Sequence, residues 1–155
     1  MIFATVGSHP TYRFERFLRA LETLPDGEVV VQHGPGEPPA NALRAVPWMS
    51  FGEIVEAMEQ ADRVVSHAGV GTVLCAVRAG QVPIVFPRLK RFEETVDDHQ
   101  LELGRRLAGD GRLILVEDES ELVAAVAAAP PRGATAGLDG SELIAAVRAE
   151  LIASN

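Results

Sequence analysis

A chain of 155 residues is the size of one domain and long enough to bury its own core. Its net charge of −8, from 14 basic and 22 acidic side chains, opposes non-specific nucleic-acid binding, and the closest basic grouping is only Arg88, Lys90 and Arg91. One cysteine, Cys75, excludes an internal disulfide and suits a reducing cytosol; no apolar run reaches the ~20 residues of a membrane span, and the opening MIFATVGSHP lacks the flank and centre of a signal peptide.

Ile2 to Val6 reads as a first strand, mostly apolar as a strand buried on both faces should be. Phe14, Phe17, Leu18 and Leu21 then follow the helical spacing i, i+3, i+4, i+7 in a helix of Phe14 to Leu24. Val29 to Gln32 is a second strand and Val46 to Phe51 a weaker one, with Ser50 and Glu53 spaced as a capping pair at a helix start. Arg63 to Ser66 is the next strand. Val70, Val73, Leu74 and Val77 repeat the helical period, and Gly80 stops that helix. Val82 to Phe86, a helix opened by VDDHQ, Leu113 to Val116 and the capping pair Asp118 and Glu121 complete the alternation. APPRGATAGLDG, residues 129 to 140, reads as a loop before a last helix from about Ser141 to Ile152, with Leu143, Ile144, Val147 and Leu151 on one stripe. Strand and helix in alternation predict an α/β, Rossmann-like three-layer domain with a mostly parallel sheet, occupying residues 1–155 as a single unit.

Ligands of such sheets collect where strand ends meet helix starts. VVSHAGVGT is such a junction: His67 leaves a strand, and Gly69, Gly71 and Thr72 lie where free N–H groups and the positive helix end suit a phosphate. Taken alone, the pattern serves equally as a tight turn with a packed histidine. It is neither a P-loop nor the G-x-G-x-x-G fingerprint. Two more junctions add weight: Gly7 and Ser8 after the first strand, and Arg88 after the fifth, followed by the polar start Asp97, Asp98, His99 and Gln100. The four histidines are dispersed, no HExxH or CxxC occurs, and no catalytic metal or other cofactor is expected. Glu93 and Glu94 read as a solvated loop face, as does Arg88 to Phe92, whose alternative is contact with an anionic membrane surface.

In order and spacing, SHAGVGT, VPIVFPR and DDHQLELGRRLA resemble the carboxyl-terminal domain of GT-B glycosyltransferases of family 28, and in particular the small stand-alone subunits of two-component enzymes of exopolysaccharide or dolichol-linked N-acetylglucosamine transfer. The resemblance implies half of a GT-B fold that binds a nucleotide-diphosphate sugar, expected to be UDP-linked, as donor substrate. It implies that Gly7 and Ser8 face the diphosphate and acceptor side, that the backbone near Phe51 reads the uracil edge, and that His67, Gly69, Gly71 and Thr72 hold the diphosphate. Asp98, His99 and Gln100 would face the donor sugar and, with His67, form the catalytic set; Arg88 is counted with the donor-binding residues. Many relatives place a Glu for the ribose hydroxyls where this chain has Cys75, and a thiol is a poor acceptor. The implied partner is a membrane-anchored, acceptor-binding subunit that would hold this cytoplasmic chain at the membrane periphery. A sugar-nucleotide epimerase and a non-catalytic nucleotide-sugar-binding module are the alternatives.

Overall fold

A computed structural model describes residues 1–134 together with residues 141, 142, 144, 145, 148 and 149. The six strands are β1 (Ile2–Thr5), β2 (Val29–Gln32), β3 (Arg44–Val46), β4 (Arg63–His67), β5 (Ile84–Phe86) and β6 (Ile114–Leu115). They form one parallel sheet in the order β3-β2-β1-β4-β5-β6. The helices are α1 (Glu15–Leu21), α2 (Phe51–Gln60), α3 (Val70–Arg78), α4 (His99–Gly109) and α5 (Leu122–Ala128).

The helices divide between the two sheet faces according to strand alternation. Phe14, Phe17, Leu18 and Leu21 bring α1, and Leu122 and Ala125 bring α5, against Ala4, Val31, Val65 and Phe86. On the other face Met58 of α2 and Ala76 of α3 close over Phe3 and Val64, while Val73, Val77 and Leu107 join α3 and α4 over Val85. This is the three-layer, Rossmann-like arrangement expected from the alternation of elements. Gly80, at φ +78, ends α3 in a Schellman motif, with Gln81 N–H donating to Ala76 and Gly80 N–H to Val77.

The weak strand does not run over Val46 to Phe51. It is Arg44–Val46, because Pro47 has no N–H to continue the ladder and the Ser50–Glu53 capping box starts α2 at Phe51. The last helix read over Ser141 to Ile152 has Leu143, Val147 and Leu151 of its stripe outside the described residues.

Candidate functional site

Between β1 and β4 the direction of sheet building reverses, so the crossovers leaving these strands diverge and open a crevice at their carboxyl ends. Gly7 follows β1 and Gly69 follows β4. The His67 ring sits between them: a Cβ on Gly7 would collide with Cε1, and one on Gly69 would meet Nε2. Both glycines are therefore required by the imidazole, and Gly7 also by its φ of +84. The histidine and its glycines form one packed unit.

That ring is neutral at physiological pH. Loss of water, then the nearby Arg88 cation, push its pKa down to about 4, and the Thr5 carbonyl only partly opposes them. Nδ1 is shut off from solvent without a hydrogen bond of good geometry, leaving Nε2, on the Gly69 side, as the nitrogen available to a ligand. Since the unfolded chain takes up this proton near the ordinary 6.5 and the folded one only near 4, the contribution is complete above the first value and lost as pH falls toward the second. Wild type is expected to lose about 3 kcal/mol more than His67→Gln over that interval, read by urea denaturation at a series of pH values. Parallel curves would contradict the buried neutral imidazole.

Gly69 is the N-cap of α3 and supplies no side-chain cap, so the N–H groups of Val70, Gly71 and Thr72 precede the first intrahelical bond, from Val73 to Gly69. From there a cleft of about 470 Å³ runs along α3, lined by Gly7, Ser8, Phe51, Gly71, Thr72 and Cys75 among others. Six residues singled out in the sequence thus meet in one place. Phe51, 72% exposed, stands at the rim on the first turn of α2. A second cleft of about 430 Å³ shares Ser8 and adds His67, Arg88, Gln100 and the loop of His9 to Tyr12.

The remaining predicted residues divide. Gln100 lines the second cleft while its Oε1 accepts the Arg88 N–H at 3.1 Å. Asp98 lines neither cleft; its Oδ1 accepts the Lys90 N–H at 2.9 Å, so it fixes the loop after β5. His99 is largely exposed beside Asp97, 3.9 Å away. Arg88 is buried, with Nη2 donating to the Val6 carbonyl at 2.9 Å and Nη1 to those of Tyr12, Arg13 and Glu94 at 3.3 Å. Burial lowers its pKa to about 10, which leaves it a cation that ties three segments together. Leu89 is buried as well, so only Lys90, Arg91 and Phe92 of the run read as solvated are exposed. Glu94, read as solvated, is buried and paired with Arg16.

Sequence reasoning missed a buried chain of hydrogen bonds under the site. Gly7 N–H donates to Thr5 Oγ1 at 3.1 Å, the Thr5 hydroxyl to Gln32 Oε1 at 2.6 Å, and Gln32 Nε2 to the Pro47 carbonyl at 2.9 Å. It joins the turn after β1 to the turn before α2, so both walls of the larger cleft hang on one amide. A buried Gln in an apolar strand was its only sequence signal. Gln32→Leu should cost about 1–3 kcal/mol, since it strands a hydroxyl and a carbonyl. Denaturant unfolding measures this, and a change within error would show the chain to be dispensable.

Residues 1–130 match the glycosyltransferase family 28 C-terminal domain. The chain belongs to that family. A stretch of 61 residues, 39% of this chain, is 38% identical to the UDP-N-acetylglucosamine transferase subunit ALG13 of Yarrowia lipolytica and spans 29% of that protein. In three dimensions 98% of the chain matches 39% of the crystallised glycotransferase of kitacinnamycin, at a TM-score of 0.57 and 24% identity, which shows the shared fold. Both matches cover well under half of the relative's own length. Within the family 28 frame, the His67 unit is the SHAGVGT segment and the larger cleft is its surroundings. No helix among the described residues is long and apolar enough to cross a membrane.

Proposed function

We propose that this chain is the donor-binding, catalytic part of a glycosyltransferase that moves a hexose or N-acetylhexosamine from a nucleotide-diphosphate sugar, UDP-linked, to a lipid-linked acceptor. The observation that carries the reading is the uncapped amino terminus of α3 beside His67 Nε2, opening directly into a cleft of nucleoside size at the sheet's switch point. A diphosphate seated there meets N–H donors and the positive end of the helix, and the same groups stabilise the charge that develops as the nucleotide departs. The nucleoside lies along α3 under Phe51, and the sugar extends toward the second cleft, which Gln100 lines. A second, membrane-anchored subunit supplies the acceptor surface and holds the chain at the cytoplasmic side of the membrane. The similarity to a named subunit of a transferase supports the need for a second subunit.

Calorimetric titration of UDP and a panel of UDP-sugars tests the donor assignment. Binding is expected, and His67→Ala should weaken it by about 1.5–3 kcal/mol, the range for a hydrogen bond to a charged group. Unchanged affinity in that variant would remove His67 from the site. Transfer of labelled sugar to a lipid acceptor, assayed with and without the partner, tests catalysis and the division of labour together.

A further inference from the structure

The walls of the larger cleft hold a consequence for the donor's pentose. Along α3, Thr72, Cys75 and Arg78 stand three residues apart, and the six-position step from the first to the last corresponds to ~9 Å of helix, about the reach from a phosphate to a base. With the diphosphate at the helix start, the pentose falls at the level of Cys75. Rossmann-type dinucleotide sites hold the ribose hydroxyls with an Asp or Glu that accepts from them. Here none of the eleven described residues that line the cleft is acidic and none is a carboxamide.

The Ser8 and Thr72 hydroxyls stand at the phosphate end of the cleft, on the turn after β1 and the first turn of α3, and the remaining polar groups are committed or of the wrong kind. Thr5 Oγ1 already donates to Gln32 and accepts from Gly7 N–H. Glu53, on the neighbouring α2, is held by its capping box, accepting the Ser50 N–H at 2.7 Å. Arg78 has donors only, and the Cys75 sulfur is a weak acceptor that also packs against the cluster of Phe3 and Met58. Around it stand Met49, Ile54 and Leu74. A 2′-hydroxyl placed here would lose water without gaining an acceptor. A pocket built to bond a hydroxyl rejects the analogue lacking it by ~10⁴-fold or more, whereas an apolar wall gives no such discrimination.

Resting on the reading of this cleft as the donor nucleotide site, we infer that it does not select the ribose 2′-hydroxyl and takes 2′-deoxyribonucleoside diphosphates as readily as ribonucleoside diphosphates. The donor class thereby widens to deoxypyrimidine diphosphate sugars.

The experiment is calorimetric titration of the whole chain with UDP, dUDP and dTDP, repeated on Cys75→Glu and Cys75→Gln, with a melting curve for each protein. The wild type is expected to bind dUDP within about threefold of UDP. Either variant that keeps the wild-type melting temperature should shift the ratio toward UDP by about tenfold or more, as an acceptor reaches the pentose. A wild-type preference for UDP of tenfold or more over dUDP, about 1.4 kcal/mol, overturns the inference and leaves the donor site standing. Folded variants without any shift overturn it too, because Cys75 then does not face the pentose. Binding of none of the three nucleotides overturns the donor-site reading and this inference with it.

Discussion

Glu94→Ala is expected to lower the free energy of unfolding by about 3–5 kcal/mol. The carboxylate receives Arg16 Nε at 3.1 Å and Nη2 at 2.9 Å, and both side chains are over nine-tenths buried. Its Oε2 also accepts the Leu89 N–H at 2.9 Å. Removing it leaves a guanidinium shut in among Phe14, Phe86 and Phe92, whose rings lie 4.5–5.6 Å from its central carbon. Those faces attract a cation by only about 0.5–2 kcal/mol each, and Nη1 already lacks a hydrogen-bond partner there. Desolvation therefore wins. Arg16→Met in the Glu94→Ala background should recover most of the loss, because an apolar chain of similar length tolerates the site. The exposed Arg105–Glu117 pair has comparable geometry, 2.7 Å for both bonds, yet its removal should cost far less, because water solvates and screens both partners. Urea unfolding of the variants provides the comparison; equal losses at the two pairs would refute the argument from burial.

Gly69→Ala is expected to reduce donor-nucleotide affinity by about tenfold or more and to destabilise the fold by roughly 1–3 kcal/mol. At φ −73 the backbone of Gly69 accepts any residue, so the whole effect comes from a methyl group that has no room beside the His67 ring. The ring has nowhere to retreat, since Gly7 closes the opposite side. Removing the ring should therefore restore stability: His67→Ala/Gly69→Ala is expected to unfold at nearly the denaturant concentration of His67→Ala alone. Gly7→Ala must behave differently. Its φ of +84 adds a backbone penalty of about 1–2 kcal/mol that survives loss of the imidazole. Rescue of both glycine variants by His67→Ala, or of neither, would show that the sandwich is not the reason for the glycines.

The layer architecture was legible because each central strand is a short apolar run between helices of clear period. Capping pairs at Ser50/Glu53 and Asp118/Glu121 were equally legible, being local in sequence, and both form capping boxes. What escaped was set by distance along the chain or by exposure. Arg16 and Glu94 are 78 residues apart, so the pair of adjacent acids in the sequence gave no sign that one turns inward. It does so at Glu93, which adopts a left-handed φ of 56 and swings the chain after it. The edge strand β3 has two exposed residues of three, leaving no apolar run to read. At the site, Gly7, Ser8, Phe51, Gly71, Thr72 and Cys75 were found from junctions and family resemblance, whereas Thr5 and Gln32 were not, because their chemistry lies in a contact across strands.

The placing of His67 between the two glycines also fixes when the site comes into being during folding. Its two sides arrive on β1 and β4, where Thr5 pairs with Ser66, a closure spanning 61 residues. A chain in which β4, β5 and β6 have assembled with α3 and α4 has the helix amino terminus but no opposing turn, and the imidazole lies open to water. The pocket appears only with the most distant of the central pairings, the kind that loop entropy makes slow. A nucleotide added during refolding has nothing to hold until that step is over, so it should slow unfolding while leaving the refolding rate nearly unchanged.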